Sequence, residues 1–184
     1  SLRVIPSSSQ FFLYDSVTLS CGEQENSSTW RVKRNTSTDI NEECSTTWGN
    51  RNGSHCFISD LYIADTGVYW CESGAGECSD AINITVTAGS VILESPALPV
   101  PEREAVTLRC TNKPSNSPSS LTAEFYKDGH LINSSSTGKM TIYGISKSDE
   151  GLYRCSIAGS GASPAAGWLS EVKQVRLRHL FSRL

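Results

Sequence analysis

Apolar and polar residues alternate in short bursts along this chain, and the bursts recur in the same order in its two halves. In Val17-Thr-Leu19-Ser-Cys21 every second residue is apolar, the period of a strand with one buried face. Cys56 to Leu61, Val68 to Glu72 and Ala81 to Thr87 read as further strands. In the last of these Ile82, Ile84 and Val86 point inward and Asn83 points to solvent. The second half repeats the series with Ala105 to Cys110, Ala123 to Gly129, Met140 to Ile145, Gly151 to Ile157 and Glu171 to Leu177. The pattern predicts an all-β chain built twice over.

The repeat is explicit where each half closes. Asp65-Thr-Gly67-Val-Tyr69-Trp-Cys71 and Asp149-Glu-Gly151-Leu-Tyr153-Arg-Cys155 share a tail, and their cysteines follow Cys21 and Cys110 by 50 and 45 residues. Such spacing suits bonds Cys21 to Cys71 and Cys110 to Cys155 across two facing sheets. The Tyr two residues before the second Cys matches the tyrosine corner of immunoglobulin-like sandwiches. The expectation is two tandem immunoglobulin-like β-sandwich domains, residues 1–88 and 89–184, the second with a basic C-terminal tail. Thr87 to Val91 leaves almost no spacer, so a short bent linker forms a fixed elbow. Trp30 is placed as the ring that packs on the first disulfide, and Phe125 stands at that position in the second domain.

Seven cysteines, in regularly placed pairs, point to an oxidising compartment, secreted or at the cell surface. Five sequons, at Asn26, Asn35, Asn52, Asn83 and Asn133, agree with N-glycosylation there. No run of about 20 apolar residues occurs, so membrane anchoring would require a segment absent from this chain. The formal net charge of -3 divides unevenly: residues 1–88 hold 5 Lys/Arg against 11 Asp/Glu, net -6, and residues 89–184 hold 11 against 8, net +3. No basic stripe marks a nucleic-acid binder. The second domain is the better partner for an acidic protein surface.

Cys44, Cys56 and Cys78 are left over. Cys44 would close one edge strand and Cys56 open its neighbour, so a Cys44 to Cys56 bond closes a loop around Trp48, worth about 3 kcal/mol. Cys78 is then a half-buried thiol or an intermolecular link, and pairing of Cys78 with Cys44 or Cys56 stays open. These thiols lack the close pairs of a zinc site, and no metal or cofactor is expected. His55, His130 and His179 are scattered, with no nucleophile in a motif beside them. Asp65 and Asp149 sit at a structural turn. An enzyme with a small-molecule substrate is not the expectation.

Loops remain to carry function. Residues 111–120, with Pro114 and Pro118, are polar and stiff; residues 158–168 are small and adaptable, ending in Trp168 as a core ring or a contact residue. Both are expected at the pole facing the first domain, beside Tyr126, Lys127 and His130.

The sequence Val17 to Cys21, Asp65 to Cys71, Ile82 to Val86, Glu104 to Cys110 and Phe125-Tyr-Lys-Asp-Gly129 resembles the first two domains of Fc receptors and Fc receptor-like leukocyte receptors. The stretches Glu42-Glu-Cys44 to Trp48, Gly53 to Cys56 and Gly76-Glu-Cys78 are similar to bony-fish members, including leukocyte immune-type receptors. The resemblance implies binding of an immunoglobulin Fc region through second-domain loops, with Lys113, Tyr126, Lys127, His130 and Trp168 as the ligand-binding residues. In the family this resembles, receptors for IgG clamp an Fc proline between two tryptophans; Ser90 and Lys113 stand at those positions here, which leaves either another antibody class, such as IgM, or another ligand. Recognition of an MHC class I-like protein through the elbow is the alternative, and adhesion or self-association through Cys78 a third reading.

Overall fold

The computed structural model describes residues 2–22, 29–97, 99–113 and 122–168, with the backbone of 170–171. Among them the first half forms β1 (Arg3–Ile5), β2 (Gln10–Phe12), β3 (Val17–Ser20), β4 (Arg31–Thr36), β5 (Glu42–Glu43), β6 (Asn50–Asn52), β7 (His55–Ile58), β8 (Gly67–Glu72) and β9 (Ile82–Thr87). These make two sheets, ordered β1-β3-β7-β6 and β2-β9-β8-β4-β5. Val17, Leu19 and Cys21 from one sheet meet Ile82, Ile84 and Val86 from the other in a shared core, as the alternation requires. Cys21 and Cys71 join the sheets; a loop of this length is worth about 4 kcal/mol. The leading segment is split between the sheets: β1 lies antiparallel to β3, whereas β2 runs parallel to β9.

The second half gives β10 (Val91–Glu94), β11 (Val100–Pro101), β12 (Val106–Asn112), β13 (Ala123–Lys127), β14 (His130–Ser135), β15 (Lys139–Ile142), β16 (Gly151–Ile157), β17 (Gly161–Ala162), β18 (Ala166–Trp168) and β19 (Ser170–Glu171). One sheet is β10-β12-β15; the other is β14-β13-β16, with β17 and β18 both against β16. Its own core gathers Leu93, Leu108, Phe125, Ile145 and Tyr153, behind the Cys110–Cys155 bond. Tyr69 donates to the Asp65 carbonyl at 2.5 Å and Tyr153 donates to the Asp149 carbonyl, so both corners close alike. Burial pushes both phenols up to about 12.

Three placements differ from expectation. Trp30 precedes β4 and is only partly buried; Val32 lies opposite Cys71, as Phe125 lies opposite Cys155. Both Trp30 and Trp48 pack on the first core; Trp48 lies edge-on to Tyr69 at 5.9 Å and is carried by the loop that Cys44–Cys56 closes. Gly49 fits there because a Cβ would meet the two sulfurs at 2.7 and 3.0 Å. The final strand also begins before residue 171, because β18 already pairs with β16. The chain turns tightly after Ile157, with Gly159 and Gly161 at φ 81° and 112°, conformations that suit glycine. Asn26, residues 114–120, His179 and the basic tail lie outside the described residues.

Candidate functional site

Strand register decides which predicted residues can share a surface. Ala123 pairs with Ile157 and Lys127 with Tyr153, so the start of β13 and the end of β16 lie at one pole. The end of β12 lies there too, and Cys110 N–H donates to the Gly138 carbonyl, bringing in the turn between β14 and β15. Lys113 belongs to this pole, which faces the first domain. The turn Asp128–Gly129 is at the other pole, four strand steps or about 13 Å away, next to the turn Lys147–Asp149. The expectation that Tyr126, Lys127 and His130 stand beside the other two loops is therefore corrected: the hairpin turns only after β13 has crossed the sheet.

Each side chain has its own setting. Lys113 N–H donates to the Ser90 carbonyl at 2.8 Å, so Ser90 and Lys113 are neighbours. Lys113 Nζ reaches the Leu13 carbonyl at 3.4 Å and lies 5.8 Å from the Phe12 ring centre, spending its charge on the joint between domains. Tyr126 donates to Glu124 at 2.7 Å, with Arg154 over its ring at 4.9 Å; the bond to Glu124 holds the phenol pKa up. Lys127 Nζ donates to the Ser148 carbonyl. His130 is exposed at the start of β14.

Trp168 is a correction as a contact residue: it is 4% exposed, stacked on Tyr153 at 5.3 Å within the second core. It belongs to β18, where Ala166 and Trp168 face in and Gly167 faces out. That alternation was available in the sequence.

The repeat explains Lys127. Its partner across the sheet is Tyr153, and the first-domain residue opposite Tyr69 is Arg34. Arg34 turns inward, donating to Asp65 at 2.6 Å, Glu42 at 3.1 Å and Tyr69 at 3.2 Å beneath the Trp48 ring. Asp65 is thus a structural acid, its second oxygen accepting the Tyr62 N–H at 2.8 Å. Asp149 likewise accepts the Ser146 N–H at 3.0 Å.

What the sequence reading missed is the joint. Gln10, on β2, is 1% exposed; its amide donates to the Pro164 carbonyl at 2.9 Å and its oxygen accepts the Leu93 N–H at 2.8 Å. Ser9 and Ser95 share a hydrogen bond at 3.2 Å beside it. Next to Leu13 stands Tyr14, at φ 73°, a strained setting for a large residue. Tyr14 and Tyr62 meet edge-on at 5.7 Å, yet they are 58% and 55% exposed, with Ile63 at 53%. An exposed aromatic pair thus adjoins the pole that carries Lys113. Cys78 is exposed, its thiol 3.8 Å from Glu72.

The immunoglobulin domain family matches residues 90–165. Low affinity immunoglobulin gamma Fc region receptor III of Rattus norvegicus is 32% identical over 96 residues, 52% of this chain and 33% of the receptor. Fc receptor-like B of Homo sapiens is 33% identical over 97 residues, 52% of this chain and 22% of that protein. Fc receptor-like protein 5 of Mus musculus is 27% identical over 124 residues, 67% of this chain and 20% of its own length. The chain thus spans a third or less of these relatives. Among solved structures, murine CEACAM1b aligns over 93% of this chain and 100% of its own, at 14% identity and TM-score 0.37. Among the described residues no helix is long and apolar enough to cross a membrane.

Proposed function

We propose that this chain, which belongs to the Fc receptor-like group of the immunoglobulin superfamily, binds the Fc region of an immunoglobulin at the elbow between its domains. It is a non-enzymatic immune receptor of extracellular or cell-surface type. In our reading it comprises domains 1–88 and 89–184, and the ligand meets the pole of Lys113, the turn 136–138 and the hairpin 158–160, together with Tyr14 and Tyr62. The observation that carries this reading is the exposed Tyr14–Tyr62 pair beside the Lys113 joint. Tyrosines join a large ring to a polar tip and are enriched in binding hot spots. Ser90 and Lys113 in place of two tryptophans favour an antibody class such as IgM over an IgG-like clamp.

The test is surface binding of the glycosylated chain to purified antibody classes, Fc fragments and MHC class I molecules of the same species. Saturable Fc binding is expected. Tyr62→Ala should weaken it about 30-fold, the factor for a hot spot of about 2 kcal/mol, while His130→Ala, at the far pole, leaves it unchanged. The elbow tyrosines also favour a second reading, recognition of an MHC class I-like protein. Silence across antibodies with a class I signal would replace the first reading with the second.

A further inference from the structure

A cleft of about 820 Å³ runs between the two halves of the molecule, within the range of about 300–1,000 Å³ for pockets that take drug-sized ligands. Its first-domain wall includes Thr66, Val68, Asn83 and Thr85; Leu152 and Trp168 stand on the second-domain wall, with Asp128 beside them. Asn83 and Thr85 are the outer members of the sequon Asn83-Ile-Thr85. They share this wall because a sequon spans two strand steps, and residues two apart on a strand face the same way. Asn83 is exposed. The other sequon asparagine on an inner strand, Asn35, instead holds the Asn41 N–H at 2.6 Å.

We propose that the cleft seats the first sugars of an N-linked glycan on Asn83, which wedges between the domains and fixes the elbow. The proposal rests on the extracellular reading above. In the attachment step Asn83 Nδ2 bonds to the anomeric carbon of a polyprenyl-diphosphate-linked oligosaccharide. The bond from that carbon to the diphosphate oxygen breaks, the diphosphate leaves with the electron pair, and Nδ2 gives up one proton. Attachment to the nascent strand needs no access to the closed cleft. The cleft has what an N-acetylglucosamine pair requires: apolar surface at Val68 and Leu152 for the C–H faces of the rings, and an acceptor for hydroxyls at the Asp128 carboxylate, whose Oδ1 takes the Leu152 N–H at 3.0 Å and leaves Oδ2. Among the described residues no other sequon asparagine lines the cleft; Asn52 and Asn133 are exposed on β6 and β14.

The test uses the chain from a secretory host. Glycopeptide mass spectrometry reads occupancy, and timed peptide-N-glycosidase treatment of the native protein reads accessibility. Asn83 should be occupied and released at least tenfold more slowly than Asn52 and Asn133. Spin-label distances between the domains should broaden in Asn83→Gln and Thr85→Ala and stay narrow in Thr85→Ser, which keeps the sequon. Release at Asn83 as fast as at Asn133, or an empty Asn83 beside occupied Asn52 and Asn133, overturns the proposal alone. No occupied sequon at all overturns the extracellular reading with it.

Discussion

Replacing Gln10 by Met removes two hydrogen bonds from the joint while keeping volume and flexibility in a site that is 1% exposed. The Leu93 N–H, now accepted by Gln10 at 2.8 Å, is left without a partner in a residue that is itself buried. An unsatisfied buried donor costs about 1–3 kcal/mol. The Pro164 carbonyl is half-buried and still accepts the Ser163 hydroxyl at 2.9 Å, so losing the amide there costs about 1 kcal/mol or less. The joint should therefore weaken by about 1–4 kcal/mol. Hydrogen exchange at the Leu93 amide reads this directly, and the expected acceleration is about 5- to 700-fold at 1.4 kcal/mol per decade. Amides in the first core, such as that of Leu19, should keep their protection if only the joint opens. Unchanged Leu93 exchange, with a urea midpoint within error of the parent, would refute the claim that this amide holds the domains together.

Trp168→Ala should lower stability by about 3–5 kcal/mol, the usual loss for a buried large ring, measurable as a fall in urea midpoint; a selective loss of ligand binding at full stability would contradict its place in the core. Alkaline titration tests the tyrosine corners. Tyr69 and Tyr153 are pushed up to about 12 in the folded chain, against about 10 unfolded, so their stabilisation is complete below about pH 10 and is lost as pH rises towards 12. Tyrosinate absorbance should show these two phenols ionising late and together with unfolding.

The sandwich was legible because its signals are periodic and duplicated. Leu19 and Ile84 announce a buried face by alternation, and Tyr153 repeats Tyr69 at the same distance from its cysteine. The Cys44–Cys56 bond was legible from which strands share an edge. Trp30 packs on the first core as its ring suggested, but from the position before β4, because pairing with Cys71 belongs to Val32. Tyr126, Lys127 and His130 were placed at the wrong pole because closeness in sequence to a loop says nothing about the direction in which β13 crosses the sheet. Gln10 left no trace at all: a single neutral amide has neither period nor charge, and its meaning lies in partners 83 and 154 residues away.

That separation orders events during synthesis. Pro164 leaves the ribosome 154 positions after Gln10, about 8–30 s later at roughly 5–20 residues per second. Through that interval the first sandwich can close its own core, but Phe12, which lies outside both core clusters, and the Gln10 amide wait uncovered on its edge. A chain that stalls or is cut before residue 164 keeps a ring and an unmated amide open to chaperones. The clasp at residue 10 thereby serves as a check that the second sandwich has been made.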